Sequence, residues 1–260
     1  MSDLRPGYRE LAAPGALACL WVRVVGEERE RTHVLPDGCS DLIWSAGRGA
    51  FVAGPDTGPA PVSSPPGSVL LGVRFRPGAG GAALGMPLSE LRDRRVDLAE
   101  LRPELAARLD AELEPRAAAA VLSRLAAELA GAPRDPEVEA AVARLADPRA
   151  RVEALAGELG LSERQLRRRF HAAAGYGPKM LQRVLRFRRF LAGDRADLAR
   201  AALDAGYADQ AHLAREVARL AGTSPSRLAR GHLDRGQSAL ANGHGGETPR
   251  GSGELGLIHR

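Results

Sequence analysis

Residues 151–230 carry one pattern written twice. Leu166, Arg168, Phe170, Gly175 and Pro178 recur 47 positions on as Leu213, Arg215, Val217, Gly222 and Pro225, and Leu181 and Arg183 recur as Leu228 and Arg230. Two copies are too few for a solenoid, in which three or more stacked repeats bury a continuous core. A short helix, a turn, a charged helix and a Gly-x-x-Pro stop, written twice, fit two small helical heads on one rigid body. The second half of the chain is thereby restricted to an all-α unit.

Each copy can be read as a helix-turn-helix. In the first, Val152, Leu155, Ala156 and Leu159 lie on one helical face, Gly160-Leu161 makes the turn, and Ser162 caps the next helix by accepting from a free backbone N–H. From Ser162 onward Leu166, Phe170 and Ala173 point inward, while Arg164, Arg167, Arg168 and His171 share the other face. In the second copy Leu198, Ala201 and Ala202 form the inner stripe, Gly206-Tyr207 makes the turn and Asp209 is the cap. There Leu213, Val217 and Leu220 point inward and Gln210, Ala211, Ala214 and Arg215 outward. A helix of this kind fits the major groove of B-DNA, where arginine grips guanine, glutamine pairs with adenine and alanine touches a thymine methyl. A helix over Pro178–Leu191, starting with proline at its first position, joins the two; Lys179, Arg183, Arg186, Arg188 and Arg189 make it basic, and some of these are candidates for phosphates. At 1.5 Å per residue such a helix spans ~21 Å, a rigid link between heads in successive grooves ~34 Å apart.

The charge agrees with a polyanionic partner. Residues 151–233 hold 16 Lys+Arg against 8 Asp+Glu, a net of +8, whereas the rest of the chain sums to −3. An acidic front and a basic back point to double-stranded DNA docking on the C-terminal half. No apolar run approaches the ~20 residues that span a bilayer. The N-terminus MSDLRPGYRE lacks a secretory pattern, and two cysteines, Cys19 and Cys39, cannot build a disulfide framework or a four-cysteine zinc site. A cytoplasmic, nucleoid-associated protein is expected.

The first hundred residues read differently. Apolar runs at Ala16–Val25, Leu42–Trp44, Phe51–Ala53 and Ser68–Gly78 are separated by Gly/Pro turns, with residues 54–67 as loop, which suggests a small antiparallel sheet or partial barrel. Residues 103–130 are rich in helix formers and divided by Pro115. Asp135-Pro136 opens a helix to about Ala146. The expected class is α+β: a β-rich domain over 1–101, a helical connector over 102–132, two helix-turn-helix modules joined by a helix over 133–233, and a disordered tail over 234–260.

The stretches LAGELGLSERQLRRRFHAAAGYGPKMLQRVLRFRRFLA and AALDAGYADQAHLAREVARLAGTSPSRLAR resemble the double helix-turn-helix domain of AraC/XylS-type transcription regulators over about Pro133 to Gly231. Leu213, Val217 and Leu228 stand where that family usually has aromatic residues, yet the sites stay apolar. The resemblance implies that Arg164, Arg167 and Arg168 read bases in one groove and Gln210, Ala211 and Arg215 in the next, with Ser162, Lys179 and Ser224 as phosphate contacts. LPDGCSDLIW, VAGPDTGP and GVRFRPGAGGAALGMPLSEL resemble a compact, cupin-related sensor half of such regulators. A small-molecule effector, a homodimer and a contact with RNA polymerase are the partners that this resemblance adds to DNA.

Other residues offer less. The histidines show no metal-ligand spacing, so neither a metal nor a cofactor is expected, and no catalytic residue is assigned. Cys39 follows a turn in PDGCSD and reads as a small structural hydrophobe. The competing reading is a thiol-based alkyl-transfer or redox-sensing protein that uses Cys39 beside a fused DNA-binding domain. Arg74 and Arg76 alternate with Val73 and Phe75, which puts them on a solvated sheet face; turned into a barrel, they would bind an acidic effector.

Overall fold

The computed structural model describes residues 5–109 and 112–230. The tail expected over 234–260 lies outside the described residues. In chain order the first part contains β1 (Gly7–Ala12), β2 (Leu17–Val24), β3 (Glu30–Val34), β4 (Ser40–Ser45), β5 (Gly49–Ala53), β6 (Ala60–Ser64) and β7 (Val69–Phe75). There follow α1 (Gly80–Leu84), a 3-10 turn Leu88–Leu91, β8 (Arg95–Asp97), α2 (Leu98–Leu101), α3 (Pro103–Ala106) and α4 (Pro115–Ala130).

Six strands form an open sheet in the order β1-β2-β7-β4-β5-β8, and β3 pairs with β6 in a separate ribbon; all pairings are antiparallel. Alternation sets the faces: in β4 Ser40, Leu42 and Trp44 are buried while Asp41, Ile43 and Ser45 are half-buried. Helix α4 lays Ala118, Leu122, Leu125, Ala126 and Leu129 into the same core as the sheet. Burying each such leucine is worth about 1.5–3 kcal/mol. Its C-terminal end is tied down where Ala130 O accepts from Ala16 N at 3.2 Å. Residues 54–67, expected as loop, include strand β6 with Pro61 inside it. An edge ribbon tolerates a proline because one side of the strand has no ladder to feed.

The second part contains α5 (Pro136–Leu145), α6 (Val152–Glu158), α7 (Glu163–Ala174), α8 (Pro178–Ala192), α9 (Leu198–Ala205), α10 (Gln210–Ala221) and α11 (Pro225–Ala229). Side-chain caps start α5, α7 and α10 where the sequence places them. Asp135 accepts from Val138 N at 3.1 Å, and Asp209 accepts from His212 N at 2.6 Å. Ser162 and Gln165 form a capping box, each side chain accepting from the other's backbone N–H. Val138, Leu155, Leu166, Phe170 and Leu181 belong to one core, and Val184, Phe187, Phe190, Leu213, Val217 and Leu220 to a second. Helix α8 feeds both cores, so the two modules share one spine. Among the described residues no helix is long and apolar enough to cross a membrane.

The two parts dock on each other. Arg188 on α8 donates to Asp37 O at 3.0 Å, reaching the Pro36-Asp37-Gly38 turn. Helix α1 and the 3-10 turn pack on α7. The loop between β5 and β6 runs under both modules: a Cβ on Gly175 would stand 2.5 Å from Pro55 Cγ, and one on Gly222 3.4 Å from Pro59 Cγ. Gly175 and Gly222 are equivalent positions of the repeat, and both close their helices in the left-handed region at φ +83° and +66°. One loop thus touches the same corner of each copy.

Candidate nucleic-acid interface

Helix α7 is amphipathic in the way its spacing requires. Leu166, Phe170 and Ala174 are buried, and Arg164, Arg167 and Arg168 are exposed on the opposite side. Ala174 is the third fully buried contact, and Ala173, the one expected from the spacing, is half-buried against the same core. None of the three arginines has a hydrogen-bond or ion-pair partner among the described residues. Their charges therefore remain available to a ligand. Arg169, on the flank, is instead spent on Asp135 at 2.8 Å and Glu137 at 3.0 Å, which ties α7 to the start of α5.

Helix α10 repeats the arrangement. Leu213, Val217 and Leu220 are buried; Gln210, Ala211 and Arg215 are exposed, and Ala214 is half-buried. Leu213 and Val217 are fully excluded from solvent and Leu228 nearly so, so the aliphatic replacements at these sites still fill the core. Nothing local marks Glu216 as a buried residue. It sits on the inner side of α10, where Arg183 Nε donates to it at 2.6 Å and Arg219 Nη1 at 3.2 Å.

The expected phosphate contacts have local roles as well. Ser162 works in the capping box, Ser224 Oγ accepts from Arg227 N at 3.4 Å, and Lys179 pairs with Glu153 at 2.9 Å on the surface. The basic side chains of α8 differ more from expectation. Arg183 is held by Glu216, Arg186 donates to Pro148 O, Arg188 to Asp37 O, and Arg189 to Ala146 O and Ala205 O. These four clamp the spine to neighbouring elements, and their hydrogen bonds are made within the protein.

At the C-terminal end of α7, His171 has its pKa lowered from the ordinary 6.5, first by partial burial and then by the charges of Arg167 and of Arg92. Arg92 belongs to the first part of the chain and follows the 3-10 turn. Sequence reading had no means to find it, since no local pattern places it beside α7.

Arg74 and Arg76 are not a solvated pair. Arg74 is buried in the middle of the sheet, with Nε donating to Asp41 at 3.0 Å and Nη1 paired with Asp37 at 3.5 Å. Trp21 Nε1 also donates to Asp41, at 2.7 Å. Burial works against the Arg74 charge, but Asp41 and Asp37 outweigh it and raise its pKa above the ordinary arginine value. Arg76 is exposed and donates to Gly15 O and Ala13 O. Neither side chain is left for an acidic effector in the manner expected. Cys39 is buried, and burial together with the neighbouring Asp37 pushes its thiol pKa up. Among the described residues no three histidine, cysteine, aspartate or glutamate side chains converge to hold a metal ion.

Comparison with known proteins matches two separate stretches of the chain. Residues 155–231 match the family model described as a helix-turn-helix domain, and residues 14–97 match a domain of unknown function (DUF6597). A search of curated proteins returns no match. Among solved structures, an apo single-residue variant of ToxT from Vibrio cholerae strain SCE256 is similar at 11% identity, covering 84% of this chain and 99% of that one with a TM-score of 0.41. ToxT from Vibrio cholerae O395 is similar at 10% identity, covering 81% and 97% with a TM-score of 0.43. Values this low carry no functional argument.

Proposed function

We propose that this chain, a DNA-binding transcription regulator by its AraC-type helix-turn-helix domain over residues 155–231, reads two successive major grooves with α7 and α10. Arg164, Arg167 and Arg168 contact bases in the first groove and Gln210, Ala211 and Arg215 in the second. Ser162, Lys179 and Ser224 meet flanking phosphates. The observation that carries this reading is the pair of in-register helices, each with its aliphatic underside buried and its polar face exposed, mounted on one spine.

The first part, residues 1–132, acts as the sensor in this reading. A small-molecule effector, a second copy of the chain or RNA polymerase would act there and bias promoter occupancy through the docking contacts on α7, α8 and the two helix ends. The thiol-based alternative is disfavoured by the same geometry. A nucleophilic Cys39 needs exposure and a lowered pKa, and it has neither.

The test is binding of the full chain to a duplex that it selects from a random library. Arg168→Ala should cost about 1–3 kcal/mol and relax preference at one base position, and Arg215→Ala should do so about one helical turn away. Binding whose log K is flat against log salt would refute the proposal, since groove reading brings several phosphate contacts with it.

A further inference from the structure

We infer that Arg92, from the sensor part of the chain, is a DNA-backbone contact that extends the surface of α7; the inference rests on the groove-reading function above. Three observations carry it. The first is place. The 3-10 turn that Arg92 follows packs on the C-terminal half of α7: Leu88 O lies 3.2 Å from where a Cβ on Gly175 would stand, and Gly81 approaches Ala172 O closely enough to leave no room for a side chain. At 3.6 residues per turn, Arg164, Arg168 and His171 fall within one sector of about 60°. The sensor meets α7 at its C-terminal end, just beyond these side chains, at Ala172 and Gly175.

The second observation is charge. Arg92 is exposed and has no partner among the described residues, although Asp93 is its neighbour in the chain. The Asp93 carboxylate is already engaged, accepting from Thr57 N at 2.6 Å and from Thr57 Oγ1 at 2.9 Å. Arg167 from α7 and Arg92 from the sensor part both lower the pKa of His171, so the fields of two guanidinium groups from different parts of the chain overlap at the end of α7. A phosphate on the DNA backbone carries the charge that such a cationic field attracts.

The third is rigidity. Asp93 sits in the left-handed region at φ 58°, the one non-glycine residue there among those described. Its turn is stitched to the β5–β6 loop by Asp93 N donating to Pro55 O at 3.1 Å and Gly54 N donating to Arg94 O at 3.0 Å. Arg95 grips Asp56 with both terminal nitrogens, at 2.5 and 2.6 Å. A long side chain on so braced a turn is presented to α7's partner at little further cost in backbone order.

The experiment measures affinity of the full chain for its selected duplex over a range of salt, for the wild type, Arg92→Gln, Arg92→Lys and Arg168→Ala. A phosphate contact predicts that Arg92→Gln binds several-fold more weakly on every sequence tried and that its slope of log K against log salt shrinks by about 0.9. Arg92→Lys, which keeps the charge, should hold the wild-type slope. If Arg168→Ala weakens binding while Arg92→Gln leaves affinity and slope unchanged, the inference is overturned and the groove reading stands. Tighter binding by Arg92→Gln overturns it too, by showing that the turn obstructs DNA, as does a Lys variant that loses as much as Gln. A wild-type chain that binds no duplex ends both.

Discussion

Gly175→Ala should be far more damaging than a surface glycine replacement, and its cost can be worked out in parts. At φ +83° an L-residue pays about 1–2 kcal/mol for the left-handed conformation. The new methyl would stand 2.5 Å from Pro55 Cγ and 3.2 Å from Leu88 O, so either the β5–β6 loop or the 3-10 turn must retreat. Overpacking of this kind adds about 1–3 kcal/mol. Gly160 provides the control: its φ is +66° and a Cβ there would meet nothing within 4 Å, so Gly160→Ala bears the conformational cost alone. Gly222→Ala should resemble the control, because its nearest neighbour, Pro59 Cγ at 3.4 Å, is at ordinary contact distance. Thermal unfolding reads the difference at roughly 2–4 °C per kcal/mol for a chain of this size. Pro55→Ala in the Gly175→Ala background should recover part of the excess, which a double-mutant cycle isolates. Equal losses for Gly160→Ala and Gly175→Ala would refute the reasoning, since they would mean that the loop does not press on the end of α7.

Two further outcomes follow from side-chain environments. His171 should titrate below 6.5 in the free protein, and Arg92→Gln should move its NMR midpoint upward by removing one of the two charges that depress it. The unfolded chain takes up this proton more readily than the folded one. The contribution of neutral His171 to stability is therefore complete above 6.5 and is lost as pH falls through the lowered folded value. A midpoint indifferent to Arg92→Gln would separate the sensor turn from α7. For the cysteines, burial raises Cys39 strongly and Cys19 to about 12, so a thiol reagent at neutral pH should label neither until the chain is unfolded. Fast labelling of Cys39 in the native state would restore the thiol-based reading.

Legibility varied along the chain for physical reasons. The helices of the second part were readable because their signals are local: Asp135, Ser162 and Asp209 cap with their own side chains, and Gly160, Gly175, Gly206 and Gly222 take positive φ at the turns. Strands β1, β3, β6 and β8 carry no such signal. β1 is a mostly exposed edge, and β6 holds a proline that only an edge ribbon accepts. Arg74 misled because β7 is covered on both faces, so that Gly72, Val73, Arg74 and Phe75 are all buried and alternation cannot name an outer side. The partners that make its charge tolerable, Asp37 and Asp41, come from a turn and a different strand. The arginines of α8 looked like a field for phosphates because helical spacing reports a face, not the carbonyls that the face will meet. Arg164, Arg167, Arg168, Gln210, Ala211 and Arg215 are exposed as spacing required, but the turn that carries Arg92 reaches the end of α7 only through tertiary docking.

The strap from Pro55 to Pro59 makes the two heads a caliper with a fixed jaw. If α7 and α10 read two half-sites as proposed, inserting one base pair between those sites would displace one of them by about 3.4 Å and rotate it around the duplex. A pair of modules joined only by a hinge would follow that shift. Here the spine and the strap hold both helix ends at once, so either the duplex must twist to restore the register or one head must let go.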